Sequence, residues 1–427
     1  MNVRLSPYGS ASTEPSPVNR MMAAFAHDFR DGFDINLGVG YVNEKTIPVP
    51  LMTEALRAVS ADPATYRQAF NYGGPTGSPN LIRSIRQFLV NQRIGGLDAA
   101  ALENKRLVIG PCGATSVLDA LAEILPRGLV VTSDPNYYIY ADTLERKGFR
   151  ILAIPEDAEG IDLDILEREL HALGDAVNDI SFFYTVTVNN PSCSILSNAR
   201  RLALLDVATR LSRQQNRQIP IFYDLAYELL LHDPAAPPFV SALPADSLGI
   251  AYEIGTLSKV LAPGLRIGYL LGPDGPFLNA MVQKTSDTGF SAPLFVQEMA
   301  SWLLDHHVAA QLQAVNAGYR TKAVAVSATI QEYLGPHLAA CIGGSAGFYF
   351  YLTFREVRTD PGSPFFDRLA HPVDPAQPKV IYIPGQYCVH PRGRLAKTGR
   401  RQLRLSYGFE DAPRIVHALA LMRAAIR

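Results

Sequence analysis

Short apolar runs alternate with amphipathic stretches through the middle of the chain. The runs 107–109 and 129–131 are typical of buried strands, and the stretch 115–125 between them has the apolar spacing of a helix. The same alternation predicts strands at 150–154, 180–185, 220–223 and 250–255 and helices at 141–147 and 198–213. Because strands that are joined by helices usually pair in parallel, this succession predicts an α/β fold around a mostly parallel sheet.

The pattern changes from about Ser301. A long helical stretch ends near Tyr333, and separated strand-like runs follow it at 347–353, 380–383 and 402–407. The stretch 356–378 is rich in Pro, Asp and Gly, which predicts a loop insertion. A smaller α+β domain is therefore expected in the C-terminal part of the chain.

Composition excludes several classes of function. The 427 residues carry 39 Lys and Arg against 40 Asp and Glu, so the formal net charge is −1, and 48% of the residues are hydrophobic. A groove for nucleic acid needs a surplus of basic residues, so we expect no nucleic-acid partner. No uninterrupted apolar run is long enough to span a bilayer, so no membrane association is expected.

The cysteines and the first residues bear on location and metals. The four cysteines lie far apart without a C-x-x-C pair, which favours a reducing compartment over a disulfide framework or zinc ribbon. The first twenty residues are polar and lack the apolar core of a secretory signal, so we expect a cytoplasmic protein. No H-E-x-x-H motif is present, and we predict no metal site and no hydrolase elbow.

Polar or glycine-rich residues follow five of the predicted strands. In open α/β sheets, ligands bind beyond the carboxyl ends of the strands, so residues at these ends should meet in one crevice. They occupy positions 110–116, 134–137, 189–191, 223–227 and 255–259. This convergence is the main indication of a site.

Two of these segments have the chemistry of an anion site and of a nucleophile. Gly113, Ala114 and Thr115 open a helix with small residues, which leaves backbone N–H groups free for an anion, although an ordinary helix cap would look the same. Lys259 lies among apolar residues, and desolvation lowers the pKa of a lysine and makes it a nucleophile toward carbonyl compounds. A surface lysine on a turn is the alternative.

Two further charged residues could bind ligand groups of opposite charge. Asp224 ends a strand, where its carboxylate could pair with a protonated pyridine nitrogen or simply cap the next helix. Arg404 alternates with Leu403 and Leu405 on a C-terminal strand. Its guanidinium could bind a carboxylate through two parallel hydrogen bonds, or it could point into solvent.

Together, these segments resemble the class I/II aminotransferases, which are fold-type I pyridoxal-phosphate enzymes, from about Ile35 to the end of the chain. The family signature S-[FL]-S-K-x-x-x-P-G-x-R-x-G is similar to residues 256–268, with Thr256 in place of the first serine. The resemblance implies a mostly parallel, seven-stranded type of sheet sandwiched by helices, with a smaller α+β domain from both ends of the chain. It places an N-terminal arm and part of the small domain at 1–49, the large cofactor-binding domain at 50–315 and the small domain at 316–427.

The resemblance also implies a role for each matching residue. Lys259 would hold pyridoxal 5′-phosphate as an aldimine, Asp224 would pair with the pyridine nitrogen, and Tyr137 would stack on the ring. Tyr227 and Asn190 would bond the phenolic oxygen. The phosphate would be bound by Gly113, Ala114, Thr115, Thr256, Ser258 and Arg266, and by Tyr72 of the other subunit of a dimer. Gly40 would approach the substrate, and Arg404 would bind its α-carboxylate.

The chain departs from the family pattern in one loop. Cys193 replaces the glycine of the N-P-x-G motif, and Thr187 occupies the place of a proline. Glycine readily supplies a positive φ, which cysteine adopts only at a cost, so we expect this loop to differ in shape. Cys193 is expected to be a small packing residue rather than a reactive one.

The resemblance implies an aminotransferase that moves an amino group between an α-amino acid and a 2-oxo acid, as a homodimer with shared sites. Lyases, cyclases and oxidases of specialised amino-acid metabolism use the same residues and stay open as alternatives. A non-catalytic ligand-sensing module, like the aminotransferase-like domains of some bacterial regulators, is a third hypothesis. We expect it to be wrong because no basic helix-turn-helix precedes Ile35 and because Lys259, Asp224 and Arg404 are retained.

Overall fold

A computed structural model describes residues 3–426. Its strands are β1 (Ile35–Asn36), β2 (Lys105–Ile109), β3 (Leu129–Asp134), β4 (Arg150–Asp157), β5 (Gly160–Ile161), β6 (Ile180–Val186), β7 (Ile221–Asp224), β8 (Ala251–Thr256), β9 (Gly268–Pro273), β10 (Leu338–Gly343), β11 (Tyr349–Phe354), β12 (Val380–Ile381), β13 (Ile383–Pro384) and β14 (Gln402–Ser406). Its α-helices are α1 (Pro7–Ala11), α2 (Pro17–His27), α3 (Val49–Ala61), α4 (Pro79–Asn91), α5 (Ala99–Leu102), α6 (Gly113–Ile124), α7 (Tyr138–Arg146), α8 (Leu163–Ala172), α9 (Asn198–Gln214), α10 (Pro276–Asp287), α11 (Leu294–His306), α12 (Val308–Tyr333), α13 (Pro364–Ala370), α14 (Ala396–Gly399) and α15 (Ala412–Ala425).

The large sheet has the strand order β2-β9-β8-β7-β6-β3-β4-β5. Strands β8, β7, β6, β3 and β4 pair in parallel, whereas β9 runs antiparallel to both of its neighbours and β5 forms a short antiparallel edge. This arrangement confirms the predicted α/β class and the mostly parallel sheet. It also aligns the carboxyl ends of the central parallel strands along one edge.

Helices cover both faces of this sheet because the strands are apolar on both sides. Leu107 and Ile109 belong to one core cluster and Val108, between them, to another. Val130 and Val131 divide in the same way, as the two-residue period of a strand requires. The continuous apolar runs of the sequence thus reflect a sheet that is buried on both faces.

A second sheet in the C-terminal part has the order β10-β11-β14-β13, with all pairs antiparallel. Arg404 lies in β14, opposite Tyr351 of β11 and Ile383 of β13. The N-terminal segment joins this region through β1, which pairs in parallel with β12. No helix within residues 3–426 combines the length and the apolar character that a membrane span requires.

Two C-terminal predictions were wrong. The stretch 356–378 contains helix α13, whose N-terminus is capped by Ser363 Oγ, which accepts from the Phe366 N–H at 3.3 Å. Phe365, Phe366 and Leu369 are buried, so apolar packing outweighs the surrounding turn residues. The strand predicted at 380–383 is divided into β12 and β13, which pair in different sheets.

Candidate active site

The strand ends do converge on one cleft at the carboxyl edge of the large sheet. Residues from the ends of β3, β6, β7 and β8 and from the start of α6 line it together. They are Ala114, Thr115, Leu118, Tyr137, Val186, Asn190, Asp224, Ala226, Tyr227, Thr256, Ser258, Lys259, Pro263 and Arg266. The crevice expected from the sequence is therefore present, and most of the candidate residues line it.

Lys259 follows β8 and projects into this cleft. Its Nζ donates to the backbone oxygen of Gly40 at 3.2 Å and lies 5.3 Å from the ring centroid of Tyr227. Burial and, to a smaller extent, the positive charges of Arg404 and Arg266 lower the pKa of Lys259 to about 8, whereas Asp224 opposes them. A substantial fraction of the amine is then neutral near physiological pH, which suits a nucleophile or a base.

Asp224 is buried at the end of β7. Its Oδ2 accepts from the hydroxyl of Tyr184 at 2.8 Å, and its Oδ1 accepts from the Ala226 N–H at 3.0 Å. Burial raises the pKa of Asp224 to about 6, although these hydrogen bonds and Lys259 favour the charged form. A cationic partner in the cleft would stabilise the charged form of this carboxylate.

Ala114 and Thr115 at the start of α6 and Arg266 also line the cleft. Gly113 has a φ of +67°, and a Cβ there would lie 2.8 Å from Arg266 Nη2. The guanidinium of Arg266 donates to the backbone oxygens of Cys112 and Pro263 at 3.2 and 3.1 Å. Thr256 Oγ1 donates to Ser258 Oγ at 3.0 Å. Free helix N–H groups, two hydroxyls and a guanidinium make this part of the cleft suited to an anion.

Arg404 reaches the cleft from the second sheet. It is buried, and its Nη1 donates to Asn190 Oδ1 at 2.8 Å while Nη2 donates to the backbone oxygen of Gly38. Its Nε is buried without a partner, and its guanidinium lies 4.4 Å from the ring centroid of Tyr349. A buried guanidinium with an unused N–H can bind a carboxylate.

Sequence reasoning missed three tyrosines around these groups. Tyr184 bonds Asp224, Tyr349 shares a 2.9 Å hydrogen bond between its hydroxyl and that of Tyr227, and Tyr138 lies 6.0 Å from the Arg404 guanidinium. Val186 pairs with Asp224 in the sheet. Tyr184 lies two residues before Val186, so its side chain is on the same face of the sheet as that of Asp224. That register could have revealed Tyr184, but no local pattern marks Tyr349.

Four candidate residues lie outside the cleft lining, namely Gly113 and Arg404, described above, and Gly40 and Tyr72. Gly40 borders it through the contact with Lys259, and a Cβ on Gly40 would lie 2.6 Å from the Tyr349 hydroxyl, so this position requires glycine. Tyr72 does not reach the cleft of its own chain. Its side chain is 82% exposed and lies 6.0 Å from Phe290 between ring centroids.

The loop with the unusual Cys193 retains the backbone conformation of a glycine. Cys193 has a φ of +51° and is buried, with its N–H donating to the Asn189 oxygen at 2.6 Å. The expectation of a different loop shape is therefore not met at this residue. Thr187 Oγ1 donates to Glu228 Oε2 at 2.7 Å, an interaction that proline could not make.

A family comparison identifies this arrangement. The sequence model described as "Aminotransferase class I and II" matches residues 34–388. The chain belongs to the class I and II aminotransferases. Aminotransferases of this class use pyridoxal 5′-phosphate.

Individual relatives are distant in sequence and close in fold. An uncharacterized HTH-type transcriptional regulator of Bacillus subtilis is 24% identical over 302 residues, which cover 70% of this chain and 58% of the regulator. The mitochondrial kynurenine/alpha-aminoadipate aminotransferase of Bos taurus is 24% identical over 308 residues, which cover 69% and 70% of the two chains. The crystal structure of a multiple substrate aminotransferase from Thermococcus profundus superposes with a TM-score of 0.84 at 19% identity, covering 99% and 97%.

The cleft fits the cofactor of this family. An amine with a lowered pKa, a buried carboxylate, the small residues at the start of α6 and Tyr137 all line it. These groups match, in turn, the aldehyde, the pyridine nitrogen, the phosphate and the ring face of pyridoxal phosphate. The buried, unpaired Nε of Arg404 adds a place for a substrate carboxylate next to them.

Proposed function

We propose that this protein is a pyridoxal-phosphate-dependent aminotransferase that moves an amino group between an α-amino acid and a 2-oxo acid. One observation carries the proposal. A single cleft holds the amine of Lys259 and the buried carboxylate of Asp224, and the buried guanidinium of Arg404 is hydrogen-bonded to Asn190 of its lining. A covalent anchor, a counter-charge for a cationic ring and a carboxylate receptor are the three groups that this reaction needs.

When bound, the cofactor supplies an electron-withdrawing ring that takes up the electrons released at the substrate Cα. In our proposal, Lys259 would anchor it, and the Asp224 carboxylate would keep a proton on the ring nitrogen. Tyr184 and the Ala226 N–H hold that carboxylate in place through their hydrogen bonds. Gly113, Ala114, Thr115, Thr256, Ser258 and Arg266 bind the phosphate, and Tyr137 covers the ring.

Lys259 Nζ also acts as the base. Its lowered pKa of about 8 would let the free Lys259 amine take a proton from the substrate Cα and hold that proton for its return. Arg404, oriented by Asn190, holds the α-carboxylate so that the bond to be broken faces this amine. Tyr227 and Asn190 bond the phenolic oxygen, and Gly40 leaves room for the substrate.

The test is a screen of amino donors against 2-oxo acid acceptors with the purified holoenzyme, combined with absorption between about 330 and 420 nm, where the cofactor absorbs. We expect a new amino acid to form only when both a donor and an acceptor are present. Release of ammonia without an acceptor would instead indicate a lyase.

The similarity to the Bacillus subtilis regulator supports a second candidate, a ligand-sensing module. In that case, the absorption of the cofactor would shift when an amino acid is added, but no 2-oxo acid would be released. The same screen separates the two candidates. The retention of Lys259 and Asp224 in one cleft, with Arg404 hydrogen-bonded to Asn190 of its lining, supports the enzyme.

We further propose a homodimer in which Tyr72 reaches the cofactor phosphate of the other subunit. Support comes from the exposure of Tyr72 and of Phe70, whose ring stacks on Phe295 with centroids 4.6 Å apart, because exposed aromatic surface is typical of interfaces. Sedimentation equilibrium should give twice the chain mass of 46.6 kDa. Tyr72→Phe should retain that mass and release the cofactor more readily, and a monomeric holoenzyme would contradict the proposal.

The domain division and the location also stay proposals. We propose an arm and part of the small domain at 1–49, a cofactor domain at 50–315 and a small domain at 316–427. The boundary at 315 lies within α12, which would then connect the two domains. Cys112, Cys193, Cys341 and Cys388 are all free thiols, which supports a cytoplasmic location.

A further inference from the structure

The position of Asn190 depends on a short loop that returns on itself. Val188 and Ile195 form an antiparallel bridge, and the Asn189 N–H donates to the Ser194 oxygen at 2.9 Å. At the turn, Cys193 adopts a φ of +51°, a conformation that residues other than glycine rarely take. Something other than local backbone preference must therefore hold this loop in shape.

One carboxylate accepts hydrogen bonds from three side chains of the loop. Glu156, in β4, accepts from Asn189 Nδ2 at its Oε1 at 2.8 Å. Its Oε2 accepts from Ser192 Oγ and from Ser194 Oγ, both at 2.8 Å. The three donors flank Asn190 on both sides and surround Cys193 in the sequence, so one carboxylate links both sides of the turn, and Asn189 Nδ2 also donates to the Pro135 backbone oxygen at 2.9 Å.

Burial makes the charged form of Glu156 unfavourable. Burial raises the pKa of Glu156 to about 7, although the hydrogen bonds from Ser192, Ser194 and Asn189 oppose this, and the nearby Asp134 adds repulsion. Hydrogen bonds to a charged acceptor are stronger than those between neutral groups. A carboxylate that accepts three such hydrogen bonds therefore restrains the loop more strongly than a neutral group would.

The loop in turn determines the orientation of Arg404. Asn190 Oδ1 is the side-chain acceptor of Arg404 Nη1, and Gly38 supplies the other acceptor. We propose that Glu156 is a positioning residue that holds the 189–194 loop so that Asn190 aims Arg404 at the substrate carboxylate. This inference rests on the proposed function. In it, the Glu156 side chain stabilises the loop conformation that a glycine at position 193 would adopt readily.

The test compares Glu156→Gln with Asp157→Asn in the holoenzyme. Asp157 is the next residue of β4, but it pairs instead with Arg200 Nη2 at 2.8 Å, so it controls for the loss of a carboxylate from this strand. We expect Glu156→Gln to raise KM for the amino donor about tenfold, with kcat changed by less than about threefold, because charge-assisted hydrogen bonds to the loop are lost. Asp157→Asn should leave both constants near those of the wild type.

A second readout does not depend on activity. Hydrogen exchange of residues 187–196, followed by mass spectrometry, should speed up in Glu156→Gln and not in Asp157→Asn. If the Gln variant does not fold, Ser192→Ala and Ser194→Ala each remove one donor and should give smaller changes of the same kind. Unchanged exchange in all of these variants would overturn the proposal.

A double-mutant cycle separates positioning from a general structural effect. If Glu156 acts through Asn190, its replacement should raise KM in the wild-type background and not in Asn190→Ala. Equal effects in both backgrounds would overturn the positioning role. If the wild-type protein transfers no amino group, the proposed function fails, and hydrogen exchange then decides separately whether Glu156 holds the loop.

Discussion

The two halves of the cleft are built in different ways. The cofactor-facing half consists of residues 113–115, 224–227 and 256–266, which follow strands of one sheet or open the helix beside it. The substrate-facing half consists of Gly40, Asn190, Tyr349 and Arg404, which come from four separate segments and two sheets.

This difference separates binding of the cofactor from selection of the substrate. A parallel sheet aligns its strand ends automatically, so short motifs suffice to form the cofactor-facing half. The substrate-facing half requires long-range packing, in which a hydroxyl or a carbonyl from one segment orients a group from another. Changes in the first half should therefore abolish cofactor chemistry, and changes in the second should mainly weaken substrate binding.

The largest effect is expected from Lys259→Ala. Without the anchor and base, transamination should fall by about 10³-fold or more, and the visible absorption of the protein-bound cofactor should be lost. Rate assays and absorption spectra measure both. Lys397→Ala, which changes an exposed lysine, is the control and should behave like the wild type.

Asp224→Asn should reduce kcat by about 10²-fold, since a preorganised charge opposite the cofactor ring is lost. Retention of full kcat would remove Asp224 from the proposed mechanism. Stopped-flow assays at saturating donor would measure the change.

The same substitution should stabilise the cofactor-free protein at alkaline pH. Because burial raises the folded-state pKa of Asp224 from 3.8 to about 6, its stabilising contribution is complete below about pH 4 and is lost as the pH rises through 6. At pH 8, Asp224→Asn should raise the free energy of unfolding by up to roughly 3 kcal/mol, with little change at pH 4. Urea titrations at the two pH values measure this, and a variant that is less stable at pH 8 would count against a desolvated carboxylate.

Arg404→Lys tests the substrate-facing half. A lysine cannot make the forked contacts with Asn190 and a carboxylate, so KM for the amino donor should rise about 30-fold or more while the cofactor spectrum is retained. Steady-state kinetics and absorption give the two quantities. The exposed Arg400→Lys should change neither, and a lost spectrum in Arg404→Lys would contradict the division into halves.

The smallest effect is expected from Tyr349→Phe. The variant removes the hydroxyl that bonds Tyr227 and keeps the ring beside Arg404, so kcat/KM should fall by about 2- to 10-fold. Tyr351→Phe, two residues along the same strand, removes a hydroxyl that bonds Gln402 instead and should have no such effect. Equal losses in both variants would indicate general destabilisation of the strand.

The same contrast explains what could be predicted from the sequence. The apolar runs predicted the parallel sheet, and the segments after its strands predicted the lining around Lys259 and Asp224, because both depend on local spacing. The antiparallel β9 and helix α13 were not predicted, since tertiary packing determined them. Tyr349 and Glu156 carry no local signal, because their partners lie far away in the chain.

The most direct test of the covalent anchor is to reduce the holoenzyme with borohydride and to locate the phosphopyridoxyl group by peptide mass spectrometry. We expect the added mass on the peptide that contains Lys259 and on no other lysine. Its absence, or its presence on a different lysine, would contradict the central claim that this cleft binds pyridoxal phosphate through Lys259.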